Sequence, residues 1–411
     1  MFRKAGIFVI LCCGLLVVQC SDKSTSTPTP TPGRDLTAVE KELVSSSNKF
    51  GLKLFREIVS QEGNKNVFVS PLSVAMALGM TYNGANGATQ EAMQNTLGLQ
   101  GMSLEDVNRS YRSIIDSLRG LDSKVTFQIA NSIWYRQGFE VESTFVNLNR
   151  TYFDAIVRAL DFADASAVAT INDWVNESTN GKISTILDVI PKEAVMYLID
   201  AIYFKGVWKF KFDPAETSAR PFYLPDGSTK TCQMMKMTCD EVVTLRTDSF
   251  SAVDLKYGGG DYSMAILLPN SSTNLESIMA QLTDENWQTW LGEFQSRGMT
   301  LYLPKFEIEY EKSLNDALTA LGLGIAFSGS ADFTGINRLG NLAISEVKHK
   351  TYVKVDEEGT EAAAVTSVGV WVTYQPSGLD VNRPFLFVIH ENHSGTILFM
   401  GKIVDPTVKT M

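Results

Sequence analysis

The stretch DEEGTEAAAVTSVGVWVTYQPSG, residues 356–378, opens on three acids, runs through compact side chains and carries no formal charge from Ala362 to Leu379. In a strand, successive side chains alternate between faces. Counted from Thr360, one face carries Thr360, Ala362, Ala364, Thr366, Val368, Val370 and Val372, all small or apolar. The other carries Glu361, Ala363, Val365, Ser367, Gly369, Trp371 and Thr373, so the one charge and the one large aromatic of the run share a face. The first set suits entry between two existing strands over a core, with the second left outside. A permanent core strand has the same alternation, but the Gly359 pivot and the Gln375-Pro376-Ser377-Gly378 exit favour a loop exposed at both ends.

The whole chain has 411 residues, 44% of them hydrophobic, enough for one large or two ordinary domains with a real core. A net charge of -10 with no clustered Lys and Arg argues against nucleic acid as a partner and against charge-driven binding to anionic lipid. At the N-terminus, Arg3 and Lys4 precede an apolar run from Ala5 to Val18, too short for a comfortable membrane span; residues 1–19 read as a secretory signal. The run ends Val17-Val18-Gln19-Cys20, which resembles the lipobox of bacterial lipoproteins, in which the cysteine is acylated. Gln19 departs from the small residue usual before that cysteine, and ordinary cleavage beside a stray cysteine is the other reading. Residues 20–34, rich in Ser, Thr and Pro, read as an extended tether of about 3 Å per residue. The expected location is extracellular or on a cell envelope, with any membrane contact made through lipid on Cys20.

Beyond Cys20 only Cys232 and Cys239 remain, flanking QMMKMT. A hairpin there would bring them into disulfide range, and two free buried thiols are the alternative.

From residue 35 onward the pattern is α+β. Leu36, Val39, Leu43, Phe50, Leu54 and Ile58 recur at helical spacing, which predicts a long first helix. GNKNVFVSPLSVAMALGMTYNGANGATQEAMQNTLGL reads as a short strand, a Ser-Pro helix start, a small-residue helix, a turn and another helix. VTFQIANSIWYR reads as a strand, and ATINDWVNESTNGKI as a helix stopped at Asn180-Gly181. AVMYLIDAIYFKGVWKFKF has the composition of a strand buried on both faces. Hairpins are expected between Arg220 and Pro269, with Asp226-Gly227 as one turn. MTLYLPKFEIEYEKSL alternates like a strand before a helix, and RPFLFVIHENHSGTILFMGKIVDP reads as two strands around Ser394-Gly395. No internal repeat or interior linker interrupts residues 35–411, which read as one domain.

Catalytic and cofactor motifs are missing. There is no GxSxG, HExxH, GxxxxGK[ST] or GxGxxG, and the three histidines are His349, His390 and His393. His390 and His393 flank an expected turn, where a solvated role is favoured over metal ligation. No catalytic residue, metal or cofactor is assigned.

At residues 348–367, KHKTYVKVDEEGTEAAAVTS closely resembles the hinge of the serpins, the serine protease inhibitors, and LDVNRPFLFVI resembles the sequence after their reactive loop. NVFVSPLSVAMALGMTYNGANGATQEAM, WVNESTNGKI, AIYFKGVW with Trp208, and LFMGKIVDP look like further serpin landmarks in family order. The resemblance implies a serpin fold with three β-sheets and an exposed reactive-centre loop at about residues 357–380. It implies a monomer that is not an enzyme but a suicide substrate: a target serine protease cleaves the loop, is held as a covalent acyl complex, and the loop enters the main sheet as a new strand. The hinge would comprise Glu358, Gly359, Thr360, Glu361, Ala362, Ala363, Ala364, Val365 and Thr366, whose compact residues suit an active inhibitor. A non-inhibitory carrier or chaperone of the same fold is the alternative. Family spacing puts the reactive bond between Thr373 and Tyr374, suiting elastase-like or subtilisin-like targets; a shifted register would offer Trp371 or Tyr374 to a chymotrypsin-like enzyme. The polar cluster that controls strand opening is matched by Ser70, Ser73 and His349, with Asp200 where serpins commonly have Asn. A buried carboxylate is costly unless paired, so a charged Asp200–His349 pair is expected, with a surface-relaxed substitution as the alternative.

Overall fold

The computed structural model describes residues 34–360 and 378–409. Its helices are α1 (Ala38–Glu62), α2 (Pro71–Tyr82), α3 (Gly87–Leu97), α4 (Leu104–Leu118), α5 (Ser143–Phe153), α6 (Ser166–Ser178), α7 (Leu275–Gln281), α8 (Asp284–Glu293) and the short α9 (Asn315–Leu318). The long first helix starts at a capping box, Thr37 with Glu40, which satisfies two otherwise orphaned backbone donors. Ser70 caps α2, its hydroxyl accepting from the Ser73 N–H, with Pro71 at the first helical position. Asn180 and Gly181 both take positive φ after α6, as the stop signal required.

Strands β1 (Val67–Val69), β2 (Val125–Arg136), β3 (Ile156–Leu160), β4 (Met196–Val207), β5 (Ser218–Tyr223), β6 (Thr229–Arg246), β7 (Phe250–Tyr257), β8 (Tyr262–Pro269), β9 (Gln295–Pro304), β10 (Phe306–Ser313), β11 (Lys348–Val355), β12 (Gly359–Thr360), β13 (Gly378–Asp380), β14 (Phe385–Glu391) and β15 (Ile397–Ile403) form two sheets. The larger runs β1-β15-β14-β8-β7-β6-β9-β13 with β5 on β6, and the smaller runs β10-β11-β12-β4-β2-β3. Three sheets are expected from sequence; among the described residues the strand pairing is continuous through two. The 18-residue β6 pairs β9 on both sides of an irregularity between Cys239 and Val242, then pairs β7, so two layers are continuous through one strand.

One hydrophobic core joins α1, α2 and the two sheets, and a separate smaller one lies beneath α6, built on Trp134, Phe162, Ile171, Val175, Ile183 and Leu187. Among the described residues no helix is long and apolar enough to cross a membrane.

Three expectations change. Cys232 and Cys239 are free thiols on the single strand β6, not on two arms of a hairpin. Seven extended residues hold them about 23 Å apart and on opposite faces, which rules out a disulfide. His390 is not solvated: it is 1% exposed, and its Nε2 lies 3.0 Å from Asp254 Oδ1. β4 is not buried on both faces along its length, because half-buried residues run from Met196 to Asp200. Among the described residues, β4 has β2 along one edge and only the two-residue β12 on the other.

Candidate functional site

That second edge defines the site. β4 pairs β2 along eleven residues on one edge, and β11 pairs β10 along its full length on its far edge. Among the described residues no pairing joins β4 directly to β11; only β12 stands between them, with Gly359 opposite Val207 and Thr360 opposite both Gly206 and Val355. Below β12, among the described residues, no strand pairs the facing edges of β4 and β11, which makes them a template for one more strand.

The acidic start of the opening stretch makes the turn into β12. The Asp356 N–H donates to the Gly359 carbonyl at 3.0 Å and the Gly359 N–H returns the bond to Asp356 at 3.3 Å, leaving Glu357 and Glu358 as a two-residue hairpin loop. Each acid meets a lysine: Asp356 with Lys354 at 3.1 Å, Glu357 with Lys305 at 2.7 Å, and Glu358 with Lys211. Although burial pushes the Glu357 carboxyl up, hydrogen bonds from Lys305 and Thr217 hold it below its ordinary value. Trp208 fastens the turn from β4's end. Its ring N–H donates to the Asp356 carbonyl at 2.9 Å and its main-chain N–H to Glu358 at 2.8 Å, while its indole stacks on Tyr257 at 4.4 Å between ring centres. The Tyr257 hydroxyl in turn lies 2.7 Å from Thr360 Oγ1, and Thr360 is 2% exposed. The hinge thus begins as a docked strand end rather than as the exposed loop read from its composition.

Gly359 has φ +153°, and a Cβ there would sit 2.0 Å from the Gly206 carbonyl oxygen. Gly359→Ala is accordingly expected to unseat β12. The emission of Trp208 should shift in this variant and not in one that also carries Trp208→Phe.

Under the opening lie the four polar residues singled out from sequence, brought together as two pairs. The Ser70 N–H donates to His349 Nε2 at 3.0 Å, and the Ser73 hydroxyl donates to the Asp200 main-chain carbonyl at 3.3 Å. The expected Asp200–His349 charge pair is absent. Burial pushes the Asp200 carboxyl up to about 8, against a smaller opposing pull from the Ser73 hydroxyl, so it is protonated at neutral pH. Burial pushes the His349 ring down to about 4, and accepting from Ser70 requires its neutral form. Both Asp200 carboxyl oxygens are sealed from solvent and without a hydrogen-bond partner among the described residues, while the residue as a whole is half-buried. A surface-relaxed substitution is excluded by the same burial.

Hinge residues Glu361, Ala362, Ala363, Ala364, Val365 and Thr366, the Thr373–Tyr374 bond and Cys20 lie outside the described residues. Tyr257, Lys211, Lys305 and Thr217, which hold the hinge turn, carry no motif that singles them out in sequence. Among the described residues no cluster of His, Cys, Asp and Glu could hold a metal.

Comparison with known proteins agrees with this geometry. The family model described as Serpin (serine protease inhibitor) matches residues 45–406. Iripin-5 of Ixodes ricinus is 35% identical over 375 residues, 89% of this chain and 95% of that protein. The native-state crystal structure of the thermophilic serpin Tengpin superposes with a TM-score of 0.83 at 31% identity, covering 92% of this chain and 96% of that one. Human thyroxine-binding globulin, in a crystal structure of its hormone complex, matches with a TM-score of 0.83 at 28% identity, covering 90% and 100%.

Proposed function

The chain belongs to the serpin family, whose members are in general protease inhibitors rather than enzymes, and we propose that this one inhibits serine proteases as a suicide substrate. A target enzyme cleaves the loop and is retained as an acyl complex while the segment after Gly359 enters between β4 and β11. The observation that carries this reading is β12, already in register with both strands at the top of the opening.

Continuing those two registers assigns each loop residue a row. Ala362 falls between Phe204 and Val353, Ala364 between Ile202 and Thr351, and Thr366 between Asp200 and His349. On the outer face Ala363 falls between Tyr203 and Tyr352. Rows flanked by the Phe204 ring and by the rings of Tyr203 and Tyr352 leave space for little more than a methyl group, which accounts for alanine at 362 and 363.

The driving force does not lie in the loop alone. About a dozen ladder hydrogen bonds at roughly 1 kcal/mol each nearly cancel about 1–2 kcal/mol per residue of lost backbone freedom. The balance comes from apolar burial and from relief at the buried Asp200 carboxyl, which has no hydrogen-bond partner among the described residues.

Val372 and Thr373 support an elastase-like or subtilisin-like target, and the leader with Cys20 supports export with acylation. Incubation with elastase-, subtilisin- and chymotrypsin-like proteases should yield a complex stable on denaturing gels, and the mass of the released peptide should locate the cleaved bond. Clean cleavage with no complex would overturn inhibition and leave a binding protein of the same fold.

A further inference from the structure

The first residue to follow β12 is the one formally charged residue of the incoming segment, and the structure fixes which row it must enter. Thr360 pairs Gly206 on one side and Val355 on the other, so the next rung lies between Lys205 of β4 and Lys354 of β11. Faces are fixed as well. The Thr360 side chain points inward to Tyr257. Val355 is buried on the inner face of β11, so Lys354 alternates outward, and Phe204 beneath β4 leaves Lys205 outward. Glu361 therefore enters on the outer face in one row with two ammonium groups.

Lys205 is half-buried and forms no ion pair among the described residues; its row neighbour on the far side is the uncharged Thr126. Lys354 is held 3.1 Å from Asp356, within the same turn that releases Glu361. A third cation, Lys182, reaches over this face from the segment after α6, its ammonium 5.1 Å from the centre of the Tyr352 ring. Each lip of the opening thus carries a cation on the side where the incoming segment carries its one charge, Lys354 being shared with Asp356 and lying in one row with Glu307 of β10.

Resting on the insertion reading, we propose that Lys205 and Lys354, one on each lip, form a receptor for the Glu361 carboxylate that sets the register of the entering strand. Register needs such a device, because a slip of one residue would turn every compact inward side chain outward. Directly opposed charges of opposite sign favour a pairing and like charges oppose it, and here the interaction is counted on both sides.

The test is a charge swap in the full-length protein, with Glu361→Lys, Lys205→Glu with Lys354→Glu, and all three together. Each is measured for inhibitor consumed per protease trapped, at low and high salt, and for the rise in thermal midpoint on loop cleavage. Glu361→Lys should raise the consumption roughly tenfold, and the triple variant should return it toward wild type, with both effects weakened by salt. Glu361→Gln and Lys205→Gln, which keep shape and remove charge, should give smaller losses in the same direction; they serve as the reading should a reversed-charge variant fail to fold. A triple variant no better than the singles, or neutral variants equal to wild type, would overturn the receptor. If wild type itself gains no thermal stability on cleavage, the insertion reading fails, which is a separate result from an intact gain that ignores the charges.

Discussion

Asp200→Asn is expected to stabilise the native protein, and by more as pH rises. The sign follows from proton counts. Between about 4 and 6.5 the folded chain holds one extra proton on Asp200 and lacks one that unfolded His349 would carry, so the two contributions to the pH slope cancel. Between 6.5 and about 8 only Asp200 differs, the folded state still holding a proton that the unfolded state has released, so stability falls as pH rises. At about 1.4 kcal/mol per pH unit that loss comes to about 2 kcal/mol across the window. Asparagine has the same shape and cannot ionise. Its thermal midpoint should stay flat from 6.5 to 8, and in the lower window it should climb with pH as His349 alone sets the slope. Thermal melts across both windows decide the matter; parallel curves for wild type and variant would mean that Asp200 is ionised in the fold. Because the residue lies under the opening, the stabilised variant should also insert its loop more slowly.

Ala364→Arg should convert an inhibitor into a substrate. In the continued register position 364 faces inward between Ile202 and Thr351, over the main core. A guanidinium buried there without a partner costs several kcal/mol, enough to halt the strand partway through its entry. The acyl bond then hydrolyses before the protease is displaced. On denaturing gels the complex band should disappear while the cleaved inhibitor accumulates at an undiminished rate. Ala363→Arg, on the outer face, should be milder, since a long side chain can reach water past the two tyrosines. Equal complex yield from wild type and Ala364→Arg would remove the strand-entry mechanism.

Much of the architecture was legible because it rests on local rules. Val125–Arg136 was bounded correctly as a strand by its composition, the Ser70 cap and Pro71 marked the start of α2, and Asp226-Gly227 turns between β5 and β6. What composition does not encode is the identity of neighbours. Hydrophobicity shows that β4 belongs in a core but not that, among the described residues, only β12 pairs one of its edges. KFEIEYEKS continues TLYLP in sequence, yet Lys305 marks a change of sheet between β9 and β10. The cluster beneath the sheet was located correctly and its electrostatics misjudged. Aspartate beside histidine suggests a charged pair on sequence grounds, but burial this deep neutralises each group separately before the two can attract. Tyr257 and Lys211 carry no local signal, because the hinge residues they hold, Thr360 and Glu358, lie more than a hundred positions away.

The small core under α6 bears on timing. It is separate from the main one, and the segment that follows the helix stretches over to β11, where Asp188 meets Lys348 at 3.5 Å and Lys182 lies over Tyr352. On the insertion reading, a strand entering beside β11 comes to lie next to this strap. A unit with so few buried side chains of its own can detach while the rest of the molecule stays intact. On the insertion reading, how long this strap stays down sets how much time a bound protease has to escape.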